Sequence, residues 1–268
     1  MRLSGLNIYP IKSLAGIGLA EAAIERRGLE FDRRWMLVDA NNRFLTQREF
    51  PKMATLRIKV GEAALEVTNE TGGRLEVPFE PANAITATVE IWSSRCKAAI
   101  YGGEIDQWFS ETLNTQCRLA KMPETTSRKV NFWYAVQKDD HVSFADGYPF
   151  LLIGQASLDD LNSRLAEPIP MNRFRPNFVV EGAESFAEDT WKKIRIGETV
   201  FHVVKPCARC VITTIDQATG TKTGKEPLKT LGDFRNRRGK LLFGQNLIAE
   251  SGGGKIRIGD EVEVLETL

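Results

Sequence analysis

Cysteine and histidine are scarce in this chain: 268 residues contain four cysteines and two histidines. Four thiols cannot make a disulfide framework at this length, and the scattered His141 and His202 do not complete the four-ligand pattern of a structural zinc site. Net charge is nearly absent, with 36 Lys and Arg against 35 Asp and Glu. That balance gives no general attraction to nucleic acid or anionic membrane, so any basic site has to be local. Long apolar runs are missing too. Nothing approaches the ~18 uncharged apolar residues of a membrane span, and residues 1–10 lack the apolar core of a signal peptide. Neither a Gly-rich phosphate loop nor a dinucleotide fingerprint occurs, so a nucleotide cosubstrate has no usual cradle. The expectation is a soluble protein of a reducing, cytoplasmic compartment.

What is present is the composition of a folded globular protein, 42% hydrophobic, long enough for one large domain or two subdomains. The first ~120 residues read as short strands cut by turn chemistry. Alternation marks strands over 54–60, 64–67 and 86–92, with Gly61 and Gly72-Gly73 at turns. A sheet closed into a barrel or folded on itself follows. Two helices are expected. One covers 104–113, where Ile105, Trp108, Phe109 and Leu113 recur at helical spacing. The other covers 157–165, with Ser157 before Asp160 as a capping-box-like start and Leu158, Leu161 and Leu165 as its stripe. The segment 193–200 is echoed by 255–262, which suggests two similar hairpins in one barrel. Residues 123–129 are polar and aperiodic, a linker. The basic stretch 235–240 reads as a solvated loop, or as a contact for a phosphate or partner.

Chemistry concentrates in Lys205-Pro206-Cys207-Ala208-Arg209-Cys210-Val211-Ile212-Thr213-Thr214-Ile215-Asp216. Thiolates are soft-metal ligands and nucleophiles, and neighbouring cations favour the ionised form. A thioredoxin-like dithiol would need a helix after the first cysteine, whereas the β-branched run after Cys210 has strand propensity. What remains is one functional thiolate on a strand-edge loop, with Cys207 either supporting it or merely packed. Further basic groups lie in apolar surroundings: Lys12, Arg33 and Arg34, Arg48, and Arg173 and Arg175. Guanidinium forks suit phosphate and fused polar rings.

Several separated segments, in order, carry a resemblance: Tyr9-Pro10-Ile11-Lys12-Ser13, Asp32-Arg33-Arg34-Trp35, Asn172-Arg173-Phe174-Arg175-Pro176-Asn177, Ala187-Glu188-Asp189-Thr190-Trp191, the cysteine segment, and Leu242-Phe243-Gly244-Gln245-Asn246. Together they resemble the MOSC family with its accompanying N-terminal β-barrel domain, and within it the amidoxime-reducing members. The resemblance implies an α+β, predominantly β fold: an N-terminal β-barrel domain over 1–122, a MOSC β-barrel domain over 130–268, and a few packed helices. It implies a molybdenum cofactor, Mo-molybdopterin, with Cys210 as the protein ligand to the metal. Lys12, Ser13, Arg33, Arg48, Arg175, Asn177 and Arg209 would anchor the pterin and its phosphate, and Asp146 would lie near the metal to orient substrate or relay a proton. The implied reaction is reduction of N-hydroxylated small molecules, in which the cofactor carries the redox step. No targeting or anchor segment and no appended ferredoxin-like domain is expected, so electrons would come from a separate iron–sulfur or flavin protein. Pyridoxal phosphate, nucleic acid and membrane are not expected partners. A different job for the same pocket is that of a sulfur or cofactor carrier, with persulfide on Cys210. A third is a redox-inert binding module with structural cysteines.

Overall fold

Short alternating stretches become nineteen strands, set against three α-helices, in the computed structural model, which describes residues 1–268. The largest sheet runs in the spatial order Val262–Thr267, Trp191–Ile196, Thr199–Ala208, Lys240–Ala249, Phe150–Gly154, Phe178–Glu181, Arg2–Ile8 and Ile17–Gly18. Its pairs are antiparallel except that between Phe150–Gly154 and Phe178–Glu181, and helix α2 (Gln155–Ser163) makes part of that crossover. The sheet closes on itself. Leu3 N donates to Asp260 O at 2.9 Å, Gly259 N to Leu3 O at 2.8 Å and Val262 N to Met1 O at 3.0 Å. The first strand is thus stitched to the approach of the last, and a barrel has no free edge.

Inward-facing positions fill that barrel. Phe150 stacks on Phe178 at 5.4 Å, and Phe201 meets both edge-on at 5.3 and 5.4 Å. Leu3, Leu6, Ile8, Ile194 and Leu247 complete the same cluster, each such side chain contributing about 1.5–3 kcal/mol on burial. The rest of the N-terminal half is a four-stranded sheet (Trp35–Val38, Arg118–Lys121, Ser94–Ile100, Ile85–Ile91) and a meander of Arg57–Val60, Ala64–Thr68 and Arg74–Pro78. Helix α1 (Gly103–Leu113) packs Phe109 and Leu113 against Trp35, Leu37 and Leu119.

Several local expectations are corrected. Residues 51–55 form a 3-10 turn, so the strand begins only at Arg57. Pro51 opens that turn, where its fixed φ suits a helical start. Ser157 lies inside α2, which starts at Gln155, and its hydroxyl donates to the buried Glu188 carboxylate at 2.9 Å. It is therefore no cap. Trp191–Ile196 and Thr199–Ala208 do form a hairpin. The echo does not, because Lys255–Arg257 pairs with Glu21–Glu25 and Val262–Thr267 with Trp191–Ile196. The stretch 123–129 is not a free linker, since Thr126 and Arg128 are buried. Nor is 235–240 wholly a solvated loop. Arg235 Nη2 pairs with Asp189 at 2.7 Å and its Nε donates to Leu242 O at 3.0 Å.

Candidate functional site

Loops at one end of the barrel meet strands and turns of the N-terminal half around a cleft of about 840 Å³. The strand Thr199–Ala208 delivers the cysteine segment. Its partner Lys240–Ala249 carries an extra residue between Leu242 and Gln245, where Gly244 takes a φ of 80°. Glycine is required there. A Cβ at that position would stand 2.8 Å from Leu152 O and 2.6 Å from an Ile153 side-chain carbon. Bulges of this kind re-aim a strand beside a site.

Past the strand, Cys210 heads a 3-10 turn over Val211–Thr214 rather than the expected strand. Thr213 donates to Cys210 O through both N (3.1 Å) and Oγ1 (3.0 Å), and Thr214 Oγ1 donates to Val211 O at 2.8 Å. These side-chain bonds offer the backbone an alternative to a sheet and override its β-branched propensity. They also fix Cys210, which lines the cleft half-buried. Arg48 Nη2 donates to its Sγ at 3.2 Å, while Arg209 Nη1 donates to Cys207 Sγ at 2.9 Å.

Six cations, Lys12, Arg33, Arg48, Arg173, Arg175 and Arg209, line the cleft against one carboxylate, Asp146. Three lining residues other than glycine hold left-handed backbone: Ser13 at φ 69°, Arg33 at 51° and Arg175 at 56°. Such conformations cost of order 1 kcal/mol each and persist where surroundings over-determine them. Here Arg33 Nη1 reaches the buried Asp32 carboxylate at 2.9 and 2.7 Å and Asn177 Oδ1 at 3.2 Å. Arg33 and Arg175 both lie over the Tyr9 ring, at 4.3 and 4.2 Å. Burial pushes the Tyr9 phenol up to about 12, so it stays neutral and donates to Pro176 O at 3.1 Å. Burial likewise lowers Arg175 to about 10, which leaves it charged at neutral pH. Behind Ser13, Gln47 and Gln217 exchange side-chain hydrogen bonds at 3.1 and 3.0 Å, and Gln47 Nε2 donates to Ser13 O at 2.7 Å.

Lys12 and Asp146 form the only ion pair with both members on the lining, Nζ to Oδ1 at 2.5 Å. Burial pulls Lys12 down to about 8, more than the neighbouring carboxylate restores. Enclosure would raise Asp146, yet its side chain keeps 62% of its surface open. Against enclosure act the charge and hydrogen bond of Lys12, the charge of Arg48 and a 3.2 Å bond from Trp92 Nε1, which together hold the carboxyl below the usual carboxylate range. Arg128 secures the Asp146 loop from beneath by donating to the carbonyls of Ser143, Ala145 and Asp146 at 2.8, 2.6 and 3.0 Å.

The structure gathers Lys12, Ser13, Arg33, Arg48, Asp146, Arg175, Asn177, Arg209 and Cys210 on one cleft lining. Asn177 is 1% exposed and already engaged, donating to Asn7 O at 3.1 Å and accepting from Leu151 N at 3.2 Å. Sequence reasoning missed Trp92, which lies 4.6 Å from the Arg48 guanidinium, and Arg128. Trp92 follows a strand and has no local signal. The arginine lay in a stretch whose polarity resembled a linker.

No group of three or more His, Cys, Asp or Glu is placed to hold a metal. A metal at Cys210 would therefore bring most of its ligands with it, as an organic chelate does. The donor set fits such a group: soft sulfur from Cys210 with Cys207 beside it, a cationic wall for its anionic parts, and two buried guanidinium N–H groups, Arg173 Nε and Arg209 Nε, without a partner.

Fold and site define a class, a β-barrel protein with a cation-lined cleft built around a cysteine pair. Residues 1–116 match the MOSC N-terminal beta barrel domain and residues 139–263 the MOSC domain. Mitochondrial amidoxime-reducing component 1 of Mus musculus is 34% identical, over 96% of this chain and 80% of that protein. Its Homo sapiens counterpart is 31% identical, over 96% and 81%. Molybdenum cofactor sulfurase of Oryza sativa subsp. japonica is 29% identical over 91% of this chain, which spans about a third (32%) of that protein's length. The chain belongs to the MOSC family. No helix is long and apolar enough to cross a membrane.

Proposed function

We propose that this protein holds a molybdenum cofactor in the cleft, with Cys210 as its protein ligand, and reduces N-hydroxylated small molecules. The observation that carries the reading is the convergence of two thiols, Cys207 and Cys210, with six cations and a single carboxylate on one cleft. The names of the amidoxime-reducing relatives support the reaction. When bound, the cofactor supplies a two-electron redox centre. Overall, R–NHOH takes up two electrons and two protons and leaves as R–NH2 and water.

The chain's own part is binding, orientation and protons. Arg33, Arg175, Arg209, Lys12 and Ser13 would hold the anionic groups of the cofactor, and Arg48, by donating to Cys210 Sγ, would keep that sulfur in place. Asn177 holds the Arg33 wall in place. Lys12 keeps a proton on Nζ next to Asp146, whose ionised carboxylate faces the open side of the cleft and orients a substrate N–OH there. Electrons come from a separate iron–sulfur or flavin protein, and a reducing cytoplasm suits four free cysteines.

The test is the molybdenum and pterin content of protein made in a host that synthesises the cofactor. Wild type should carry both near stoichiometrically and turn over benzamidoxime with reduced viologen. Cys210→Ser should lose most of the metal and all turnover. Full turnover in Cys210→Ser would sink the ligand assignment. The cofactor-sulfurase relative favours a second reading, in which Cys210 carries persulfide sulfur or the chain passes cofactor on. Sulfur released to an acceptor without reductase turnover would decide for it.

A further inference from the structure

Outside the cleft lies a second, larger hollow of about 1610 Å³ that shares Asp146, Gly147, Tyr148, Cys207, Ala208 and Asn246 with it. A ligand reaching from this groove toward Cys210 passes Cys207. Its walls are Trp92, Tyr134 and Tyr148, and its cations include Lys205, Arg237 and Lys240. Asp146 is the sole carboxylate on the lining, and Lys12 already holds it.

The charge there is concentrated. Some surface basic residues pair with acids, as in Lys192–Glu266, Lys255–Glu21 and Arg26–Asp139, and others such as Lys52 and Lys97 stand alone, but the groove gathers several unpaired cations beside two tyrosines. Lys205, Arg237 and Lys240 take part in no salt bridge and donate no side-chain hydrogen bond. The Lys205 ammonium instead lies over Tyr134 and Tyr148, at 4.5 and 5.7 Å from the ring centroids. The hairpin holding Arg237 opposite Lys240 sets two more charges on the rim. Aromatic walls beside uncompensated cations match a flat ring that bears an oxyanion.

We propose that this groove is a subsite for the carboxylate or phosphate of an aromatic N-hydroxylated substrate, so that the protein selects acidic substrates over neutral ones. The inference rests on the reductase reading for the reaction, but not for the binding. Lys205 and the rim cations take the oxyanion, Tyr134 and Tyr148 take the ring, and the N–OH group points past Cys207 into the cleft.

The experiment compares benzamidoxime with its 4-carboxy and 4-phosphonooxy derivatives on molybdenum-loaded protein, using reduced viologen so that no donor protein occupies the mouth. Both acids should exceed the neutral compound in kcat/KM by about tenfold at low ionic strength, and the advantage should shrink as salt screens it. The two acids' order tells carboxylate from phosphate as the preferred group. Arg237→Gln combined with Lys240→Glu, both exposed, should bring the acid-to-neutral ratio close to one. A wild-type ratio near one, or a ratio unmoved by the double variant, overturns the subsite. Calorimetric binding of the same three compounds separates the two readings. Acid-selective binding without turnover of any of them would defeat the reductase and leave the subsite standing, whereas turnover without acid selectivity would do the reverse.

Discussion

Lys12 holds an ammonium in a place where water cannot solvate it, and two opposite pH effects follow. Burial brings it from 10.5 to about 8, so between those values the unfolded chain keeps a proton that the folded chain has lost. Stability of the cofactor-free protein therefore rises with pH across that window, by up to about 3 kcal/mol. A bound anion needs the ammonium and holds its proton more tightly, so function runs the other way and kcat/KM falls on the alkaline side where Lys12 loses its proton. Asp146 acts on the acid side. Its lowered carboxyl contributes stability that is present above its ordinary value of 3.8 and fades as pH drops through the lowered one. Lys12→Met should abolish the alkaline gain in urea midpoint relative to wild type, and Lys12→Arg should move the fall in kcat/KM to higher pH. A wild-type midpoint that moves between pH 7.5 and 10 no differently from that of Lys12→Met would remove Lys12 from the account.

At the scale of elements, the Gly244 bulge aims the cysteine strand at the cleft. Gly244→Ala would force a left-handed alanine and press its Cβ onto the Leu152 carbonyl, costing about 2–4 kcal/mol by urea unfolding. A loss below about 0.5 kcal/mol, the range of an ordinary surface change, would show that the strand relaxes without it. The same elements explain what the sequence disclosed. Strands with clear alternation, such as Ala64–Thr68 and Ile85–Ile91, were legible because one face is buried. That nine candidate residues share one cleft was legible only through separated motifs and the resemblance they carry, since Lys12 and Cys210 are far apart in the chain and no local period joins them. Val211–Thr214 was illegible because threonine hydroxyls turned a strand-prone run into a 3-10 turn. Ser157 misled because its natural capping partner lost to the Glu188 carboxylate. The hairpin echo over 255–262 misled because turn chemistry is local, while pairing partners are chosen by the closed barrel.

Across the whole molecule, the segment matched by the N-terminal domain and the segment matched by the MOSC domain are not separate bodies. Arg2–Ile8 pairs with Phe178–Glu181 and closes the barrel against residues 259–262. Its Leu3, Leu6 and Ile8 are 0, 2 and 1% exposed in the same core as Phe150 and Phe201. The cleft is shared in the same way, with Lys12, Arg33 and Arg48 from one half and Arg175, Arg209 and Cys210 from the other. A fragment of residues 130–268 therefore lacks both a barrel strand and half the cationic wall. Expressed alone, it should show no cooperative urea transition and weak near-ultraviolet dichroism, the signature of lost side-chain packing. Co-expression with residues 1–129 should restore both, because the missing strand returns with its apolar face and its hydrogen-bonding edge. A cooperative transition in the lone fragment would mean that the barrel closes without its first strand.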